Sequence, residues 1–365
     1  MDYRPALRQR TGVGEYAHHL ASALVGLLGP ADQLALFSSS WKDRLAPGTI
    51  PGAAVVDARV PVSVLNYTWH RLGWPPVEWL AGRVDVAHAL HPLLIPATRA
   101  AQVVTIADLS FLDVPDSTTA EIRRDYAELS GPHARQADAV VVISAYTRMQ
   151  VERRFGVPPE RVFLCPPGAP AWRPRTSLDG PAHVLFIGTI GPRKNVGALL
   201  EAYEALRARA PDAPPLVLAG GVAPGAGDVV AALRRAPTDG TVRHLGYVPD
   251  MGREDLFRQA CLLVLPSLDE GFGMPVLEAM AMGVPVVTSN RGALPELVGD
   301  AGLIVDPDDI PGLSRAMERM LTDTAFAQAC VRRGLERATQ YTWEGSARQL
   351  LNAYVSAAAH RSARR

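Results

Sequence analysis

The stretch from Ser267 to Glu278 reads Ser-Leu-Asp-Glu-Gly-Phe-Gly-Met-Pro-Val-Leu-Glu and follows a short apolar run ending at Pro266. Pro275 suits the first position of a helix, because its φ is already helical and its missing N–H leaves nothing unsatisfied there. Gly271 and Gly273 let the backbone approach a ligand closely. The amides of Gly271, Phe272, Gly273 and Met274 would then face an anion at the helix end. On this reading Glu270 falls in the loop and Glu278 in the first helical turn. A carboxylate accepting two hydrogen bonds suits a ribose cis-diol or a sugar ring, so the pair could grip two hydroxyl-bearing parts of one phosphate-bearing ligand. The competing reading is a strand-to-helix turn with two solvated glutamates.

A second loop, Ile190-Gly191-Pro192-Arg193-Lys194-Asn195, leads into a helical stripe of Val196, Leu199, Leu200, Tyr203 and Leu206, with Asn195 placed as its N-cap. Two cations oppose the positive end of a helix dipole, a conflict that a bound diphosphate would relieve; a surface charge pair is the alternative. Of 37 basic residues only Lys42 and Lys194 are lysines, so the ammonium at 194 invites a specific role, whereas Lys42, beside Trp41, invites none. No Walker pattern is present. A third turn, Thr11-Gly12-Val13-Gly14-Glu15-Tyr16, opens the first helix and is weak evidence alone. Asp108 follows a strand end, where either an active-site or a capping role fits. His88 and His91 read as residues past another strand end, in core or capping roles, without metal-ligand spacing. Ser144 lacks the setting of a hydrolase nucleophile.

Twelve short apolar runs must position these loops: Leu34–Ser38, Ala54–Asp57, Val86–Ala89, Gln102–Ile106, Ala139–Ile143 and Val162–Cys165, then Val184–Thr189, Leu216–Ala219, Val242–Leu245, Leu262–Pro266, Val284–Thr288 and Leu303–Val305. Helical patterns, among them Gly14–Leu28, Thr118–Gln136 and Ala145–Phe155, lie between them. Strands alternating with helices mean parallel sheets covered on both faces. Two such sets, divided by the Pro/Gly-rich stretch Pro166–Gly180, give an α/β protein of two Rossmann-like domains. The chain opens on a turn-like Asp2–Pro5 where a first strand belongs, so that strand is either absent or very short. Arg361–Arg365 reads as a frayed tail.

The 365 residues exceed one ordinary core and suit two domains. Charges cancel, 37 basic against 37 acidic, and 16 against 16 up to Pro170, which argues against a nucleic-acid partner. No apolar run approaches the ~20 residues of a membrane span. Three scattered cysteines, Cys165, Cys261 and Cys330, argue against disulfides and zinc and for a reducing, cytoplasmic location. Trp69, Trp74 and Trp79, with Arg71 and Arg83 nearby, suit either domain packing or a peripheral membrane contact.

The chain resembles the retaining GT-B-fold glycosyltransferases of glycosyltransferase family 4. The matching segments are Val184–Asn195, Glu270–Glu278 (the family's paired-glutamate signature), Gly283–Asn290 and Gly299–Pro307. Arg10–Tyr16 and Phe155–Arg161 match in the first half. The resemblance implies two domains facing each other across a cleft, with residues 1–170 binding the acceptor and residues 171–342 the nucleotide sugar. A last helix within 343–365 would cross back to the first domain. It further implies that Arg193 and Lys194 hold the donor diphosphate and Glu278 the ribose. Glu270 and the amides of residues 271–274 would meet the sugar, and Gly14 the phosphate from the opposite domain. Asp108 is carried as a catalytic candidate, although relatives often carry His-Asp where this chain has Ala107-Asp108. The implied reaction is retaining transfer of a hexose to a glycan or lipid-linked acceptor, with neither metal nor cofactor. The style of the first loop inclines toward mannose from GDP-mannose. Epimerase or phosphorylase chemistry, or non-catalytic nucleotide-sugar binding, are the alternatives on the same fold.

Overall fold

The structure, a computed structural model, describes all residues except 8–11, 42, 114–121, 177–182, 224, 228, 230, 232, 234–239 and 365. Lys42, Arg8, Arg10, Thr11, Arg365 and part of the Thr118–Gln136 segment therefore lie outside the described residues. The chain divides into two compact units, one of residues 1–109, 120–168 and 342–365, the other of residues 110–119 and 169–341.

In the second unit, six strands form one parallel sheet: β7 (His183–Ile187), β8 (Leu216–Ala219), β9 (Val242–Gly246), β10 (Ala260–Leu265), β11 (Val286–Ser289) and β12 (Leu303–Val305). Their order is β9-β8-β7-β10-β11-β12. This is the doubly wound order, which reverses direction between β7 and β10. At such a reversal the loops leaving the two carboxyl ends diverge and open a crevice. β7, β8 and β11 are buried along their whole length, as strands covered on both faces must be, and β8 accordingly runs apolar without alternation.

The first unit holds β1 (Ala35–Ser38) paired with β2 (Ala54–Asp57), and a parallel sheet β3-β4-β5-β6 of Val86–Ala89, Ala101–Ile106, Ala139–Val142 and Val162–Leu164. Residues 1–3 stitch the two sets together. Asp2 bridges Phe37 in parallel and its amide donates to the His88 carbonyl (2.8 Å), while the Phe37 amide donates to the Met1 carbonyl (2.8 Å). The expected turn at Asp2–Pro5 thus begins as a one-residue bridge in the central strand position and turns only at Arg4–Ala6. The last helix, Trp343–Ala363, packs on the helix Gly12–Val25 and against β4, β5 and β6. It runs beyond the expected fraying point, because Arg361 donates to the Ala97 and Thr98 carbonyls (3.2 Å each).

The tryptophans separate. Trp69 is 1% exposed, packs on Phe37 (5.3 Å between rings) and donates its indole N–H to the Pro75 carbonyl (2.9 Å). Trp74 and Trp79 are 54% and 70% exposed. Arg71, grouped with them by sequence, is taken by Asp125 and Glu128, both at 2.8 Å.

Candidate active site

Both signature loops of the second unit leave the strands that flank the switch point, β7 and β10. After β7 the chain makes a single 3-10 turn, Pro192–Lys194, before the helix Val196–Arg209. Asn195 is the residue between them, but with φ 52° it is left-handed and caps nothing with its side chain. Its amide nitrogen instead donates to the Pro307 carbonyl (3.0 Å). That corrects the expected N-cap, since a capping side chain needs an extended backbone. The two loops are tied together by the Leu268 amide donating to the Arg193 carbonyl (2.8 Å).

Their side chains meet at Glu270. Lys194 Nζ donates to Glu270 Oε1, Arg193 Nη1 reaches Oε2 (3.2 Å), and Ser267 Oγ donates to Oε1 (2.8 Å). Arg193 Nη1 also donates to the Asp269 carbonyl (2.7 Å). Burial alone would raise the Glu270 pKa, but the charges of Lys194 and Arg193, with hydrogen bonds from Lys194 and Ser267, bring it down to about 2. The two cations at the helix start are thus offset here by a carboxylate of the chain itself. A phosphate would have to take its place.

Beneath the loop, Gly292 adopts φ 62°, and a β-carbon there would lie 2.4 Å from the Glu270 carbonyl oxygen. The Ala293 amide donates to that carbonyl (2.8 Å), so the turn after β11 holds Glu270 from behind. Ser289 Oγ likewise donates to the Ser267 carbonyl. Sequence reading missed Ser267, Ser289 and Gly292. Only Ser267 carried a local signal, as the first residue after a strand-end proline.

The helix that follows is Met274–Met282, with Pro275 at its second position rather than its first. Glu278 therefore lies in the second turn, not the first, because the helix starts on Met274. It is buried and paired with Arg253 Nη2 (2.6 Å), a residue that sequence reading did not mark. Among the described residues, the amides of Phe272, Gly273 and Met274 donate to no other protein group, which leaves three N–H donors at the positive end of a nine-residue helix. Phe272 is buried edge-on to Tyr341 (5.6 Å). The second unit thus gathers Arg193, Lys194, Glu270, residues 271–274 and Glu278 around one switch point.

Gly14 and Asp108 belong to the first unit. A β-carbon on Gly14 would meet the Pro5 carbonyl oxygen at 2.7 Å, so the turn Arg4–Ala6 already accounts for a glycine there. Asp108 is half-buried, two residues beyond β4. His88 lies inside β3 and not past its end. Its ring bonds Tyr354 and Thr105 (2.8 Å each), and burial holds its pKa at about 3, so it is a neutral core residue. Ser144 caps the helix Ala145–Phe155 through the Thr147 amide (2.9 Å). Among the described residues no group of three or more His, Cys, Asp or Glu is arranged to hold a metal ion, and no helix is long and apolar enough to cross a membrane.

Comparison with known proteins bears on this arrangement. Residues 11–168 match the family model described as "Glycosyl transferase 4-like domain", and residues 181–323 match "Glycosyl transferases group 1". The O-antigen chain mannosyltransferase B of Escherichia coli is 36% identical over 265 residues, which cover 69% of this chain and 69% of that protein. Sucrose-phosphate synthase from Thermosynechococcus elongatus superposes with a TM-score of 0.74 at 21% identity, over 94% of this chain and 93% of that one. WaaG, a glycosyltransferase involved in lipopolysaccharide biosynthesis, gives a TM-score of 0.71 at 16% identity, over 96% of each chain. At these identities the two structural likenesses establish the fold alone.

Proposed function

This chain belongs to the GT-B glycosyltransferases of family 4, the glycosyl transferase group 1 proteins, and from that membership we propose a retaining transfer of hexose from a nucleotide sugar to a glycan or lipid-linked acceptor. The best candidate donor is GDP-mannose, in keeping with the 36% identical mannosyltransferase. The single observation that carries the reading is the meeting of Arg193, Lys194 and the open amides of residues 272–274 at the switch point of the second unit.

The leaving nucleoside diphosphate gains charge as the glycosidic bond breaks. Arg193, Lys194 and the helix amides are fixed donors aimed where that charge develops, and such stabilisation is usually the largest catalytic contribution. Arg193 and Lys194 converge on the Glu270 carboxylate. As the phosphate displaces Glu270 from the cations, that carboxylate becomes available to the sugar hydroxyls. Glu278, steadied by Arg253, would take the ribose. No protein nucleophile is needed, and with two side-chain cations on the diphosphate we propose turnover without a metal. Asp108 and Gly14 would act from the first unit, and the proposed setting is cytoplasmic, at or near a membrane that carries the acceptor.

A thermal-shift screen against GDP-, UDP- and ADP-sugars tests the donor: at 100 times its dissociation constant the true one should stabilise by ~2.7 kcal/mol. Glu278→Ala should weaken nucleoside diphosphate binding, whereas Glu270→Ala should spare or strengthen it by freeing the cations. Equal loss in both variants would overturn the assignment. Conversion of the nucleotide sugar without acceptor would indicate an epimerase, and phosphate-dependent release of sugar 1-phosphate a phosphorylase.

A further inference from the structure

In the first unit, the loops that leave β1 and β2 lie beyond the carboxyl ends of parallel strands, the side on which such sheets bind ligands. Two bonds tie these loops together. Ser39 Oγ donates to the Val60 carbonyl (2.7 Å), and the Trp41 indole N–H donates to the Arg59 carbonyl. The second bond uses the only polar group of the indole. Trp41 is nevertheless 71% exposed, so it presents to solvent a hydrocarbon ring pinned at its edge. A single exposed tryptophan is ordinary on a surface. Its neighbours are not. Arg59, whose carbonyl holds the indole, has φ 54°, and apart from Asn195 in the loop after β7 it is the only non-glycine residue in the left-handed region among the described residues. Its guanidinium is exposed and has no hydrogen bond or ion pair among those residues. Asp57, the last residue of β2, gives Oδ2 to Arg44 Nε (2.5 Å), while its buried Oδ1 has no partner. Ser38, its register partner at the end of β1, is fully buried, and its Oγ has no partner either. Two orphaned oxygens in register on neighbouring strand ends point to a ligand that supplies hydroxyls. The Arg44 side chain is 52% exposed, so it can turn outward as that ligand enters.

A flat apolar face beside a carboxylate and two guanidiniums matches a sugar ring, which carries C–H bonds on its faces and hydroxyls around its rim. The indole gives rigid contact area at small entropic cost, and ionised groups make the stronger hydrogen bonds to hydroxyls. A phosphate would face the Asp57 carboxylate, and an alkyl chain would leave the charged groups unanswered. We propose that the carboxyl ends of β1 and β2 form a saccharide-binding site: Trp41 covers one face of a sugar residue, Asp57 accepts from its hydroxyls, and Arg44 and Arg59 donate to them. The occupant, a residue of a glycan acceptor, rests on the transfer reading above. The site narrows that reading to acceptors that carry a saccharide chain.

The test is calorimetric titration of the full chain with linear tetrasaccharides of mannose, glucose and galactose, and with mannitol as a polyol that lacks a ring. At least one tetrasaccharide should bind saturably, and mannitol should not. Trp41→Ala should weaken that binding by roughly tenfold or more, as expected when a large apolar contact is lost. Should Trp41→Ala lower the melting temperature, the exposed Arg59→Gln alone should still weaken binding by roughly threefold. A thermal shift with nucleotide sugars is read on the same protein. Such a shift without tetrasaccharide binding overturns the site and leaves the transfer reading standing. Tetrasaccharide binding that needs Trp41, without any shift by nucleotide sugars, keeps the site and sinks the transfer reading. The site is also overturned by binding that both variants keep, or by equal binding of mannitol.

Discussion

In the second unit the switch point lies between β7 and β10 and holds Glu270 against Arg193 and Lys194; in the first it lies between residues 1–3 and β3 and holds Asp2 against Arg4 and His91. Both carboxylates are buried and both are held well below the usual range by cations that overcome the opposing effect of burial. Their surroundings differ. Asp2 is gripped by Arg4 through Nε (2.8 Å) and Nη2 (2.7 Å), a two-pronged match of one acid with one base. The Leu93 amide donates to His91 Nδ1 (3.2 Å), which leaves His91 Nε2 facing Asp2 (3.3 Å). His70 beside it is kept neutral, its pKa brought down to about 3 by burial and by the charges of His91 and Arg4. At the first switch point Arg4 also donates to Asn66 Oδ1 (2.7 Å). At the second, one carboxylate, Glu270, receives both Lys194 and Arg193, and the Arg193 side chain remains 23% exposed. One topology thus carries an Asp2–Arg4 ion pair at one switch point and, at the other, a carboxylate that receives both Arg193 and Lys194.

The largest effect should come from breaking the Asp2–Arg4 pair. Asp2→Ala takes the carboxylate away from Arg4, whose side chain is only 9% exposed, and should cost about 3–5 kcal/mol of stability in urea unfolding. A loss under about 1 kcal/mol would mean that the two switch points are not different in kind.

Next comes Lys194→Ala, which removes a proposed donor to the leaving diphosphate and should raise the barrier by ~2–4 kcal/mol, read as a fall in kcat/KM. Adding Arg193→Ala should cost less than the sum of the two single changes, since both serve one group. Wild-type turnover in the folded lysine variant would remove the second switch point from catalysis.

A pH series sharpens the contrast further. Because the folded Glu270 pKa is depressed to about 2 from 4.5, its ionisation stabilises the fold fully above pH ~4.5 and loses that contribution as pH falls through about 2. The loss amounts to at most about 3 kcal/mol. Glu270→Gln should flatten this part of the unfolding free-energy curve between pH 5 and 2. Superimposable curves for the two proteins would show that the carboxylate is not held by the cations in solution.

The smallest effect belongs to Ser267→Ala, which deletes one hydrogen bond to Glu270 and should cost about 1 kcal/mol, with Glu270 titrating slightly higher. Calorimetry that finds no change would place water, rather than the hydroxyl, against Oε1.

The sequence by itself determined the elements and the chemistry available to them. Each of the twelve runs, three to six residues long, became a strand, because most are short apolar runs with few ways to hide other than inside a parallel sheet. The identities of Arg193, Lys194, Glu270 and Glu278 were equally visible, since glycine turns at strand ends mark where a backbone can meet a ligand. Tertiary structure alone decided the pairings. Lys194 and Glu270 are 76 positions apart and meet only because β7 and β10 are neighbours in the sheet, which no local period encodes. Arg253 reaches Glu278, and Gly292 makes room for Glu270, for the same reason. Trp69 and Trp79 are alike in sequence setting, yet one is core and the other faces solvent. Local pattern fixes the shape each segment takes, whereas strand order and packing fix which charges face each other.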